Sequence, residues 1–339
     1  MSVVYDPAQA LHDPQFFLMR GKAVASPERA SRGETLLAAA VGSGLRQVTP
    51  PALDEAWLAT VHEARYLAFL AEAWVAWQAI GGGGEVVANV HPQRAHASYP
   101  DGIVGRAGWH MGDTACPLGE HSFSAAKAAA ASAIHATRLV LEGAGSAYAL
   151  CRPPGHHAYA DMAAGFCFLN NAALAAAVVR AAEARVAILD VDVHHGNGTQ
   201  AIFYDRSDVL HVSLHADPRL FYPWFWGYAG ETGEGAGQGY NVNLPLPLGT
   251  DDRAYLVALE AALDRVAAHR PDVLVVALGL DIHEGDPLAG FRVTADGFAR
   301  IAERIAQRRW PTVLVQEGGY PSPALGQNLE RFLAGWSAA

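Results

Sequence analysis

Residues 188–200 read ILDVDVHHGNGTQ. With Val186 and Ala187 in front, this is an apolar run fit for a buried strand, which breaks into two aspartates and two histidines and then into a glycine-bearing turn. Charge at the end of a buried strand is costly unless it is paired or ligated. Asp190, Asp192, His194 and His195 therefore mark a place where packing yields to chemistry. On a strand, positions i, i+2 and i+4 share a face. That puts Asp190, Asp192 and His194 on one side and sends His195 away from them, to packing or to a supporting bond.

The same kind of segment recurs along the chain. β-branched runs at residues 3–5, 146–152, 186–193, 209–215, 272–280 and 312–316 read as strands. They alternate with Ala/Leu-rich stretches of helical period at 34–42, 54–60, 63–80, 124–141, 171–184, 252–269, 295–307 and 324–334. Such alternation predicts an α/β fold, a single domain over residues 1–339 with a mainly parallel multi-stranded sheet and helices on both faces. The run VLVVALGL is apolar at nearly every position, as a strand covered on both sides must be. Residues 12–33, 81–122 and 216–250 resist the scheme and are expected to be elaborated loops, which in a compact domain usually carry function.

Composition narrows the function classes. About half of the 339 residues are apolar (51%) and 17% are charged, which fits a compact protein rather than a disordered one. A net charge of −10 argues against nucleic acid as a partner and suits a cationic ligand. The three cysteines form no CxxC pair, so neither a disulfide framework nor a thiolate zinc site is expected. The opening residues lack the pattern of a secretory leader, and no run is apolar enough to span a bilayer, so a cytoplasmic enzyme with no membrane partner is expected.

In open α/β sheets, ligands bind beyond the carboxyl ends of the strands. Four predicted ends carry unusual polar groups: CRPPGHH, DVDVHHGNG, GLDIHEGDP and QEGGY. Asp192 and His194 can bind one cation, with Asp281 arriving from a neighbouring strand. Two carboxylates and one imidazole form a catalytic ligand count for a divalent metal; a hydrogen-bonded polar cluster without metal is the alternative. His156 and His157 follow a Pro-Pro-Gly turn and suit a general acid/base pair, with Asp190 and Asn197 as their orienting partners. The histidine held by the carboxylate should be the more basic of the two. Tyr320, after two glycines, offers a phenol donor to an oxyanion.

Taken in order, RPPGHH, GFCFLNN, DVDVHHGNGTQ, SLH, GLDIHEGDP and EGGY resemble the histone deacetylase superfamily, the zinc-dependent arginase/deacetylase fold, across residues 152–320. VVYD and GKAVASPERASR look like its bacterial acetylpolyamine amidohydrolase branch. The resemblance implies one zinc per chain on Asp192, His194 and Asp281, with His156 and His157 handling protons and Tyr320 polarising the substrate carbonyl. It implies potassium on backbone groups of Asp190, Asp192, His194, Ser213 and Leu214, and a second monovalent cation near Phe203, Val209 and Tyr240. Phe166 and Tyr222 match channel walls, and Leu288 joins them. The implied activity is zinc-dependent removal of acetyl or similar acyl groups from amines, acetylpolyamines foremost, by a homodimer built through the N-terminal loop. Acetyl-lysine peptides are the alternative substrate. Asp113, with Glu120 nearby, is either an acidic rim residue that meets a cationic chain or a solvated loop carboxylate, and Val104 stands where a second rim acid would be sought. Trp224, Phe225 and Trp226 either line the entrance or pack at a dimer contact. Two other classes stay open. A binuclear manganese ureohydrolase needs further bridging carboxylates, and a non-catalytic acyl-amine binder has no need of the whole set.

Overall fold

In the computed structural model, which describes residues 1–339, the strands are β1 (Ser2–Val4), β2 (Phe16–Met19), β3 (Lys22–Ala25), β4 (Arg46–Val48), β5 (Ser146–Ala149), β6 (Val186–Asp190), β7 (Val209–Ala216), β8 (Asn241–Leu246), β9 (Val273–Leu278) and β10 (Thr312–Gln316). The helices are α1 (Ala30–Gly42), α2 (Ala64–Ala79), α3 (Ile103–His110), α4 (Ser122–Leu141), α5 (Asn171–Ala181), α6 (Asn197–Phe203), α7 (Asp252–His269), α8 (Ala295–Ala306) and α9 (Leu325–Ala338). Eight strands form one sheet in the order β4-β1-β5-β10-β9-β6-β7-β8, and every pairing in it is parallel. The expected α/β architecture is thus present.

Successive residues of the central strands enter two different cores. Ile188, Val275 and Val313 face a cluster of 43 buried residues with the Ala-rich helices α4 and α5. Leu189, Val276 and Leu314 face a second cluster of 37, built with α1, α7, α8 and α9. Two cores of similar size account for strands that are apolar at every position. Small alanines on α4 and α5 let these helices lie close to the sheet and to each other.

Strand order places the chemistry. β10, β9 and β6 are neighbours at the centre, flanked by β5 and β7. The four polar segments picked out in the sequence therefore leave adjacent strands at the same edge.

The structure corrects several boundaries. β6 stops at Asp190, short of residue 193. Asp190 Oδ1 accepts the N–H of Asp192 at 3.1 Å, and Asp192 Oδ1 accepts that of His194 at 2.9 Å. These local side-chain bonds compete with the ladder and turn the chain out of the sheet. The metal-binding candidates hence sit on a turn beyond the strand, not along one strand face. Residues 54–60 contain a 3-10 turn (Glu55–Thr60) rather than an α-helix. The three segments expected to be loops hold regular structure too: the β2–β3 hairpin, α3 and the edge strand β8. No helix is long and apolar enough to cross a membrane.

Candidate active site

Three donors converge beyond β6 and β9. The ligand atoms of Asp192, His194 and Asp281 lie within 4.8 Å of one another, and all three residues are buried. His194 Nδ1 stands 3.1 Å from Asp192 Oδ1 and 3.1 Å from Asp281 Oδ2. One ring nitrogen carries at most one proton, yet two anionic oxygens share it. A divalent cation satisfies all three donors at once, so the set fits a zinc ion.

The far sides of the carboxylates are fixed by backbone. Asp192 Oδ2 accepts the N–H of Gly318 at 2.7 Å, and Asp281 Oδ1 accepts that of Val193 at 3.0 Å. Gly318 must lack a side chain, since a Cβ there would fall 2.2 Å from Asp281 Oδ2.

The Pro-Pro-Gly turn presents His156 and His157 with ring centroids 4.0 Å apart. Asp190 and Asn197 are indeed their partners. His156 Nδ1 donates to Asp190 Oδ2 at 3.0 Å, and His157 Nδ1 donates to Asn197 Oδ1 at 2.6 Å. Asn197 in turn donates to the Tyr159 hydroxyl at 2.8 Å, which fixes its amide orientation. Burial disfavours a charge on His156, but the carboxylates of Asp190 and Asp192 outweigh it and push its pKa up to about 10. Burial, reinforced by the positive charge of His156, holds His157 well below the usual imidazole range. Two adjacent imidazoles thus have opposite preferences, one charged and one neutral.

Tyr320 is buried, and burial keeps its hydroxyl protonated far above the usual phenol range. Its ring packs on Phe166 with centroids 5.6 Å apart, and Phe17 of β2 packs on Phe166 at 5.4 Å. Leu288 closes the same cluster. Across the site, Tyr222 stands edge-on to His157 at 5.0 Å and meets His194 at 6.0 Å. Phe166 and Tyr222 therefore flank the metal-binding candidates from two sides.

A family model described as the histone deacetylase domain matches residues 24–336. The chain belongs to the histone deacetylase family. An acetylpolyamine amidohydrolase of Burkholderia pseudomallei (strain 1710b) is 44% identical over the whole chain and 99% of its own length. Acetylpolyamine amidohydrolase 1 of Pseudomonas aeruginosa is 43% identical with equal coverage. The crystal structure of acetylpolyamine aminohydrolase from Burkholderia pseudomallei covers 100% of the chain with a TM-score of 0.97. As a histone deacetylase family member the chain is a deacetylase-type amidohydrolase, and zinc is the metal of that family.

Other residues expected from the family pattern are placed as follows. Ser213 pairs with Asp190 across β6 and β7, and Leu214 follows it, buried. Phe203 closes α6, Val209 opens β7, and the Tyr240 carbonyl accepts the N–H of His211 at the β7–β8 edge. His195 does turn from the metal-binding candidates. It is fully buried and packs on His215 with centroids 4.6 Å apart, and neither ring nitrogen has a hydrogen-bond partner in the chain. Asp113 is no solvated carboxylate: its oxygens accept three hydrogen bonds from Ala115, Gly165 and Tyr222. Trp224, Phe225 and Trp226 are exposed.

Three supporting residues received no role in the sequence reading, although Asp286 was singled out among the polar groups at the strand ends. Glu317 is fully buried, and its Oε2 accepts the N–H groups of Gly155 at 2.6 Å and His156 at 3.0 Å, so it anchors the histidine turn. Burial raises its pKa to about 7. Asp286 accepts the N–H of Tyr320 at 2.7 Å through one oxygen and that of Leu288 at 2.8 Å through the other. Arg32 of α1 pairs with Glu28 at 2.9 Å, donates to the carbonyls of Glu317 and Gly319, and lies over the Tyr320 ring. The signal for Arg32 was a Glu and an Arg four residues apart inside an otherwise irregular loop.

Proposed function

We propose that the chain removes acetyl groups from cationic acetylated amines, acetylpolyamines foremost, as a zinc-dependent amidohydrolase. The observation that carries this is a carboxylate-held and an amide-held histidine set 4.0 Å apart beside a three-donor metal cradle. A zinc ion held by Asp192, His194 and Asp281 would supply Lewis acidity, polarising the amide carbonyl and acidifying a water.

The chain's own groups do the rest. His157 donates through Nδ1 to Asn197, which leaves Nε2 free to accept a proton from the attacking water. His156, kept charged by Asp190, stabilises negative charge as it develops nearby. His157 then returns its proton to the departing amine. The Tyr320 hydroxyl donates to the carbonyl oxygen, and its backbone is held for that contact by Asp286, which accepts its N–H, and by Arg32, which donates to the Gly319 carbonyl before it. Phe166 and Tyr222 exclude water around the amide, which strengthens each of these interactions.

The net charge of −10 and the names of the full-length relatives support a cationic substrate. In the same reading the chain is one catalytic domain with one zinc, set in the cytoplasm. Potassium takes the backbone groups near Asp190, Asp192, His194, Ser213 and Leu214, and a second monovalent cation takes those of Phe203, Val209 and Tyr240. The β2–β3 hairpin, which exposes Leu18 and Met19, is the surface for a second copy of the chain. A side-by-side turnover assay on acetylputrescine, acetylspermidine and an acetyl-lysine peptide tests the substrate class. The acetylpolyamines should have the highest kcat/KM, and preference for the peptide would overturn that assignment.

A further inference from the structure

Asp113 is the acid that the sequence offers for meeting a cationic chain, but its carboxylate is already engaged. Oδ1 accepts the N–H of Ala115 at 2.9 Å. Oδ2 accepts the N–H of Gly165 at 3.0 Å and the hydroxyl of Tyr222 at 2.6 Å. A hydroxyl-to-carboxylate bond of that length is among the stronger neutral-to-charged bonds. The donors belong to three separate segments, and two of them carry the residues that flank the site.

The turn that Gly165 opens is strained. Gly165 has φ +52°, and Phe166 has φ +69°, a left-handed conformation that L residues other than glycine avoid. Gly165 lies so close to the neighbouring wall that a Cβ on it would sit 2.3 Å from the His157 ring and 3.0 Å from the Tyr222 hydroxyl. The segment bearing Asp113 is braced against this turn. Gly112 N–H donates to Ala163 at 2.7 Å, and Ala163 N–H donates to His110 at 2.8 Å. Asp113 is therefore fixed relative to the Phe166 wall and reaches across to hold Tyr222.

We propose that Asp113 sets the bore of the substrate channel: it is a positioning residue that ties Tyr222 to the Gly165–Phe166 turn, so that slender, unbranched aminoalkyl chains pass and bulkier ones do not. The discrimination resides in a hydrogen bond behind the walls, made to groups other than the substrate's ammonium. The proposal rests on the amidohydrolase reading for the chemistry that reports it.

The test compares wild type with Tyr222→Phe, which removes one hydroxyl, and with Asp113→Ala, which removes all three bonds. Each is assayed on two uncharged substrates, N-acetylbutylamine and its analogue with a methyl branch on the second carbon. A single misplaced methyl group is typically worth about tenfold in such discrimination. The preference of kcat/KM for the straight chain should fall about that much in both variants, chiefly through KM of the branched substrate. A preference unchanged in Tyr222→Phe overturns the proposal. So does an Asp113→Ala variant that loses activity on acetylputrescine but not on the uncharged pair, which would return Asp113 to charge reading. Amide hydrogen exchange at Gly165 reads the clamp without turnover: it should be at least about tenfold faster in Asp113→Ala, as expected when a protecting bond is lost. If wild type hydrolyses no acetylated amine, the amidohydrolase reading fails and exchange alone decides. Equal exchange rates overturn the clamp.

Discussion

At Tyr320 the hydroxyl is a donor whose proton burial retains, and two groups, Asp286 and Arg32, fix the backbone that carries it. Neither is a hydrogen-bond partner of Asp192, His194 or Asp281. Tyr320→Phe should lower kcat by about 10²–10³, the usual effect of deleting one oxyanion donor, while zinc stays bound. Steady-state kinetics with metal analysis checks this, and unchanged turnover removes the phenol from the mechanism. The ligands and the histidine pair were readable in the sequence because few jobs other than metal or proton chemistry explain Asp and His packed so densely. The roles of Glu317, Asp286 and Arg32 were not readable, because they act on backbone N–H and carbonyl groups, which leave no residue pattern of their own. Asp113 was noticed, but the sequence could not reveal that Tyr222, over a hundred positions away, holds its carboxylate.

Among elements, the central strands were legible because burial on both faces leaves an unbroken apolar run. Their ends were not, because Asp190 and Asp192 capture backbone N–H groups two residues on and end the ladder early. The edge strand β8 contains Pro245 and two asparagines, and α3 contains two glycines, so neither has strong propensity. The β2–β3 hairpin turns through Arg20 and Gly21, both at positive φ, without the Asn-Gly that usually announces such a turn. Between elements, His62 joins the chain before α2 to the segment leading into α5. Its Nδ1 donates to the Tyr159 carbonyl at 3.0 Å, and its Nε2 accepts the N–H of Asn170 at 3.0 Å. That arrangement needs a neutral ring, and burial lowers the pKa to about 4. Below the unfolded pKa of about 6.5 the unfolded chain takes up a proton that the folded chain refuses. The His62 contribution is therefore complete above that pH and is lost as the pH falls toward about 4, a change of about 3 kcal/mol. Denaturant unfolding of wild type and His62→Gln across this window should give curves that converge toward the acid end. A constant gap between them would contradict the assignment.

For the molecule as a whole, the net charge of −10 acts on any charged ligand before contact. Raising the ionic strength from about 0.05 to about 0.5 M should lower kcat/KM for acetylspermidine several-fold and leave an uncharged acetylamine nearly unchanged. Equal responses would assign recognition to shape alone. The sheet order determines the rest, since only the parallel arrangement of β5, β10, β9, β6 and β7 brings residues 156, 192, 281 and 320 to one edge. The most direct measurement is a zinc titration of metal-free protein followed by hydrolysis of an acetylated amine. Activity should rise in proportion to added zinc and level off at one equivalent per chain. Activity that persists without metal, that requires two equivalents, or that never appears would contradict a single-zinc amidohydrolase.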